Sequence, residues 1–158
     1  MYIRLTIKFF ASIALFAVVT AGGQKATSNS GSAVALKFIN DYIDNAEKMN
    51  EGVGIVEWVA ARPDATNGFK GEVKRIVDEA YAEDPEMGLD ADPIFDAQDY
   101  DGKGMELESI DEKTGYLIVR GKEMKDFKLT MKLKEVNGKW LVDGSGFVNI
   151  PPDRRILK

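Results

Sequence analysis

The side chains best able to do chemistry in this sequence are crowded into one acidic segment, where Asp90, Asp92, Asp96, Asp99 and Asp101 follow one another at short intervals. Clustered carboxylate oxygens suit a hard cation such as calcium. Part of the segment scans as an EF-hand loop, with Asp99, Asp101, Gly102 and Glu108 at its third, fifth, sixth and twelfth positions. Its first position is Ala97, where such a loop needs a carboxylate, its eighth is Gly104, and the residues beyond alternate as a strand rather than recur as a helix. The segment therefore reads, without a metal, as turn-forming solvated aspartates that hydrogen-bond nearby backbone. Asp92, Asp96 or Asp99 could instead act as a general base, with its pKa raised in an apolar pocket lined by Trp58, Phe95, Tyr100 and Trp140, although spacing gives this no support.

Other chemistries are excluded outright. The chain has no histidine and no cysteine, so Ser-His-Asp and Cys-His catalysis, thiol redox chemistry and zinc sites built on those ligands are absent. No catalytic residue, metal ligand set or cofactor is assigned. Asp143 is read as the cross-strand ion-pair partner of Lys132 rather than as a site residue. Lys128, Lys132 and Lys134 are read as a solvated sheet face with edge-protecting lysines rather than as a strip for an anionic partner.

The elements that must position these groups follow from periodicity. Ala35, Phe38, Ile39, Tyr42, Ile43, Ala46 and Met49 recur at three- and four-residue steps, predicting an amphipathic helix with Ser32 as its N-cap and Asn50-Glu51-Gly52 as its end. Ile55, Trp58 and Val59 predict one or two further turns, stopped by Pro63. Phe69, Val73, Ile76, Val77 and Ala80 draw another helical stripe ahead of Pro85. Beyond Pro85 the period shortens: 105–110, 116–120 and 127–136 read as strands, with Phe127, Leu129, Met131 and Leu133 on the buried face.

Asn137-Gly138 is a strong two-residue hairpin signal. Counting outward from it pairs Val136 with Lys139, Glu135 with Trp140, Leu133 with Val142 and Lys132 with Asp143. It also puts Trp140, Val142, Gly144, Gly146 and Val148 on one apolar face, where the glycines leave space and let the strand bend. Helices followed by an antiparallel meander make a single α+β domain, 33–152, with N-terminal helices packed in a curved antiparallel β-sheet and a short tail at 153–158.

The N-terminus carries a different message. Arg4 and Lys8 precede an apolar run from Phe9 to Val19, which closes on Thr20-Ala21-Gly22. That order is the one found in a secretory signal peptide, here residues 1–21, cleaved near Ala21. The run, about 11 residues, is well short of the roughly 20 needed to span a bilayer. A polar lead, 22–32, joins it to the domain. The 21 basic side chains lose Arg4 and Lys8 on cleavage, leaving 19 against 26 acidic ones and a net charge of −7 in place of −5. Such a surface disfavours nucleic acid and anionic membranes. The expected product is periplasmic or secreted and not membrane-embedded.

Asp92-Pro93-Ile94-Phe95-Asp96-Ala97-Gln98-Asp99-Tyr100, then Lys139-Trp140-Leu141-Val142-Asp143-Gly144 and Asn149-Ile150-Pro151, resemble the exported bacterial family labelled domain of unknown function 3828. The likeness spans about 33–152. It implies a nuclear-transport-factor-2-like fold, a cone in which a long helix lies in the hollow of a bent antiparallel sheet, and it allows a homodimer formed through that sheet. It carries no activity with it, but suggests that Asp92, Gln98, Asp99 and Tyr100 belong to a signature. With Trp58 and Trp140 these are the candidate ligand-binding residues of an exported, non-catalytic module for a small molecule or a protein partner. The rivals are an envelope enzyme using aspartate as acid or base, and an immunity or inhibitor protein directed at an exported toxin.

Overall fold

A computed structural model describes residues 31–48 and 51–156. The expected signal peptide, its cleavage site and nearly all of the polar lead lie outside the described residues. Three helices, α1 (Gly31–Ala46), α2 (Ile55–Ala60) and α3 (Asn67–Glu83), precede four strands, β1 (Met105–Asp111), β2 (Tyr116–Gly121), β3 (Lys128–Val136) and β4 (Lys139–Ser145). The strands pair in chain order, all antiparallel, as one open sheet. The molecule is thus α+β, and among the described residues no helix is long and apolar enough to cross a membrane.

The core forms where the helical stripes meet the inner sheet face. Phe38 and Ile39 of α1, Phe69 and Val73 of α3, and Val119, Met131 and Val142 of the strands are fully buried there. Two asparagines fix α1 to its surroundings by pairing with both backbone groups of one distant residue. Asn40 accepts from Met105 N–H (2.7 Å) and donates to its carbonyl (3.1 Å), while Asn45 does the same for Val53 (3.0 and 2.7 Å). Each bond satisfies backbone groups that sheet or helix would otherwise leave unpaired.

Helix boundaries differ from the expectation at both ends of α1, which stops at Ala46 rather than at Asn50-Glu51-Gly52. The first helix already includes Gly31, so Ser32 lies inside it and is not the N-cap. Gly31 is buried against Leu133 and Trp140, and a Cβ there would lie 2.8 Å from Leu133. The third helix is capped by Thr66, whose hydroxyl accepts from Phe69 N–H at 3.1 Å.

The hairpin register holds from Val136 and Lys139 through Leu133 and Val142, then slips by one: Lys132 faces Gly144 and Met131 faces Ser145. Asp143 is therefore the extra residue of a β-bulge, not the ladder partner of Lys132. Its carboxylate still lies 3.6 Å from Lys132 Nζ, but its closer partner is the Thr66 hydroxyl, which donates to it at 2.8 Å. The slip also overturns the expected glycine-lined hollow. β4 ends at Ser145, and Gly146 turns in the left-handed region (φ +62) with a Cβ position only 2.4 Å from the Pro93 carbonyl. Ile150 takes the space over Gly144, 2.8 Å from a Cβ built there.

Residues 153–156 lie along the outer sheet face. Thr130 donates to the Arg154 carbonyl at 2.8 Å, and the Arg154 guanidinium sits 5.2 Å from the centre of the Tyr116 ring.

Candidate functional site

The acidic segment resolves into separate aspartates with separate tasks. Residues 92–97 form a small closed turn, with Asp92 N–H donating to the Ala97 carbonyl at 3.0 Å and Asp96 in the left-handed region (φ 52). Inside it, one oxygen of Asp92 accepts from the Ile94 and Phe95 amides (2.8 and 3.2 Å), and the other accepts the Tyr42 hydroxyl at 2.6 Å. Burial raises the Asp92 carboxyl above its ordinary value, with the Tyr42 hydroxyl and the two amides pulling the other way. Burial and the Asp92 charge together push the Tyr42 hydroxyl well above the usual phenol range.

This turn is wedged against the end of β4. Ser145 Oγ donates to the Ile94 carbonyl at 2.9 Å, and Phe147 N–H donates to the Pro93 carbonyl at 3.2 Å. The turn thus meets residues that immediately follow the Lys139–Gly144 segment, and it meets them through structural contacts.

Tyr42 and Phe95 belong to a run of touching rings: Trp58 lies 4.9 Å from Tyr42, Phe95 5.2 Å from Tyr42, and Tyr100 stacks on Phe95 at 4.4 Å. Burial and a hydrogen bond to Glu47 push the Tyr100 hydroxyl up to about 12. Arg62 covers the far side of Trp58, its guanidinium 4.8 Å from the ring centre, and is itself held by Asp41 (2.7 Å) and Asp64 (2.5 Å).

Of the expected ligand-binding set, Asp92, Tyr100 and Trp58 come together here, in packed rather than hollow surroundings. Gln98 and Asp99 do not join them: both are exposed, and Gln98 donates to the Asp90 carbonyl at 3.0 Å. Tyr42 was read only as part of the core stripe, and it is the residue that completes the Asp92 arrangement.

The calcium loop does not assemble. Asp101 is 2% exposed, and its oxygens accept from the Lys103, Glu123 and Met124 amides at 2.9, 2.6 and 2.8 Å. Burial opposes its ionisation, but the three amides and the nearby Lys125 outweigh that and hold the carboxyl below its ordinary value. Glu108 is paired with Lys128 at 2.7 Å. Among the described residues no group of three acidic side chains is placed to hold a metal ion.

Trp140 stands elsewhere, at the start of α1. It is half-buried and lines three adjoining hollows. One, of about 440 Å³, lies between Val34, Pro63, Leu141 and the β3–β4 hairpin; a second, of about 320 Å³, includes Gly31, Ile110, Leu133 and Glu112. A third, of about 340 Å³, lies beside the β1–β2 turn, where Lys113, Lys132 and Lys134 alternate with Glu112, Glu135 and Asp143. A concave, largely apolar site with a few polar groups is the usual setting for a small ligand. Trp58, Phe95 and Tyr100 line none of these hollows.

Comparison of the chain with known protein families, with curated proteins and with solved structures found no match.

Proposed function

We propose that this chain is an exported, non-catalytic binding module of the family that its two motifs resemble, with its ligand site in the hollows around Trp140. The observation that carries this is the contrast in what the polar and aromatic candidates do. Asp92, Tyr42, Trp58 and Tyr100 satisfy one another, whereas Trp140 offers a half-buried indole to hollows of a size that suits a small molecule. Helices laid on one face of an antiparallel sheet are compatible with the cone of the nuclear-transport-factor-2-like superfamily.

The raised pKa of Asp92 favours the enzyme alternative, because perturbed carboxylates collect at catalytic sites. Its two oxygens, however, already accept three hydrogen bonds from the protein itself, which suits a load-carrying turn better than a proton-abstracting base.

Thermal melting of the chain beginning at Gly22, against a panel of small envelope metabolites, tests the binding role. A true ligand at a hundredfold excess over its dissociation constant adds roughly 2.7 kcal/mol of stability. That shift should vanish in Trp140→Ala and survive in Asp99→Ala. A ligand whose shift persists without Trp140 would move the site elsewhere. Export is tested separately, by the mass of the protein recovered outside the cytoplasm, which should correspond to a chain starting at Gly22.

A further inference from the structure

We propose that Asn137 is a site of covalent self-modification, losing its side-chain amide by cyclisation onto the Gly138 nitrogen and leaving aspartate or isoaspartate at the tip of the β3–β4 hairpin. The sequence holds two Asn-Gly pairs, Asn67-Gly68 and Asn137-Gly138. In such a pair the glycine puts no side chain in the way of its own nitrogen, which makes the preceding asparagine thermally labile. The fold places the two pairs in opposite circumstances.

Asn137 and Gly138 are exposed and make up the whole two-residue loop, both in the left-handed region (φ 52 and 75). Among the described residues, neither the Asn137 side chain nor the Gly138 N–H has a hydrogen-bond partner. A Cβ built on Gly138 meets nothing within 4 Å, so the space beside it is open. The flanking Lys134, Glu135, Val136 and Lys139 are exposed as well. The tip therefore opens at the cost of little buried surface, and a non-glycine residue held at positive φ is relieved when it does.

Asn67 is instead the first residue of α3. Bringing its side chain onto the Gly68 nitrogen requires the first turn to unwind. That breaks the bonds from the Phe69 amide to the Thr66 hydroxyl and from the Lys70 amide to the Thr66 carbonyl (both 3.1 Å), and it uncovers the fully buried Phe69. The Asp-Gly pairs, which could close the same ring, are also tied down: Asp101 accepts from three amides and Asp143 accepts the Thr66 hydroxyl.

In the reaction, hydroxide takes the proton of the Gly138 N–H and the nitrogen bonds to Asn137 Cγ. The Cγ–Nδ2 bond breaks, ammonia leaves, and a succinimide ring closes. Water then opens the ring at one carbonyl to give aspartate, or at the other to give isoaspartate, whose main chain runs through Cγ. Water enters and ammonia departs, with no oxidant or reductant. Isoaspartate adds a main-chain carbon to a loop whose length sets the Val136–Lys139 pairing, and Gly138 and Lys139 form part of the wall of the larger Trp140 hollow.

The chain starting at Gly22, kept in warm, mildly alkaline buffer either folded or in concentrated urea and digested with trypsin at intervals, tests this. Peptide 135–139 should give two new products, each about one mass unit heavier than the original. In the folded chain it should convert at least about fivefold faster than the peptide that holds Asn67, whereas in urea the two rates should come within about twofold of each other. Conversion should also quicken as pH rises, because the attacking nitrogen must first lose its proton. In the ¹⁵N-labelled converted chain, separated by its added negative charge, the amide signals of Val136, Lys139 and Trp140 should move while that of Val119 stays. If Asn67 converts as fast as Asn137 in the folded chain, or if peptide 135–139 converts only in urea, the hairpin does not expose the pair and the proposal is wrong. Unmoved signals at Val136 and Lys139 would overturn the link between the modification and the hairpin register.

Discussion

Trp58 and Trp140 are both half-buried beside α1, yet their surroundings differ sharply. Trp58 packs at the Phe38–Tyr42 end, between two rings and the Arg62 guanidinium, which two aspartates hold in place. Trp140 packs at Gly31, roughly 10–16 Å back along the helix at 1.5 Å per residue, where it touches a backbone with no side chain and faces hollows on its other sides. One indole is a structural member and the other is an available surface. The same residue type in the same fold is closed in or left accessible according to how many of its faces are already occupied.

The sharpest way to break this contrast is to remove each indole. Trp58→Ala should lower the free energy of unfolding in urea by about 3–5 kcal/mol, since a large cavity opens among packed rings and Arg62 loses its aromatic partner. Trp140→Ala should cost only about 1–2 kcal/mol, because much of its surface is already open. Equal losses would show that the two ends are not differentiated.

The next test applies one chemical change to Asp101, which is buried, and to Asp92, which is half-buried. In Asp101→Asn an amide nitrogen must face a backbone N–H, because both carboxylate oxygens are accepting from amides, and about 2 kcal/mol should be lost. In Asp92→Asn the retained oxygen keeps the Ile94 and Phe95 amides, and the new amide donates to a Tyr42 hydroxyl that can turn to accept, so the loss should stay below about 1 kcal/mol. A large loss for Asp92→Asn would mean that the charge itself is required there.

The smallest effect is a matter of sign with pH. Asp92 has a folded pKa raised above its unfolded value of about 3.9, so the folded state holds its proton more tightly. Its contribution is therefore present below about pH 4, falls as pH rises through the folded pKa, and stays level above it. Asp101 is depressed, so its contribution is complete above about pH 4 and is lost as pH falls through the folded pKa. Urea titrations from pH 3 to 7 should accordingly show Asp92→Asn gaining on the unsubstituted chain as pH rises, and Asp101→Asn closing its deficit as pH falls.

Much of the architecture was legible in the residues. The stripes of α1 and α3 have strong 3.6 periodicity, and Asn137-Gly138 dictates a turn that counts out the adjoining register as far as Val142. What escaped was set by partners distant along the chain. The bulge at Asp143 answers to Thr66, which caps α3 and donates to the Asp143 carboxylate, and neither strand alternation nor the hairpin signal contains that partner. Burial of Asp92 depends on Tyr42, whose sequence position showed only that it faced inward. The expected pocket of Trp58, Phe95, Tyr100 and Trp140 failed because composition reports that aromatics exist, while only packing reports whether they touch each other or leave room. Trp140 was grouped with the other three rings, but it stands apart from them, beside hollows with other neighbours.

The 92–97 turn is closed locally by Asp92 and Ala97, but everything that anchors it comes from afar: the Tyr42 hydroxyl is 50 positions away and Ser145 Oγ is 51 from Ile94. Such contacts repay their loop-closure entropy only after the elements that supply them are in place. The turn is therefore expected to dock late in folding, once α1 lies on the sheet and β4 has been added at its edge. If the turn opens locally while the sheet stays intact, amide hydrogen exchange at Ile94 and Phe95 should run faster than at Leu129 and Met131 in the sheet interior.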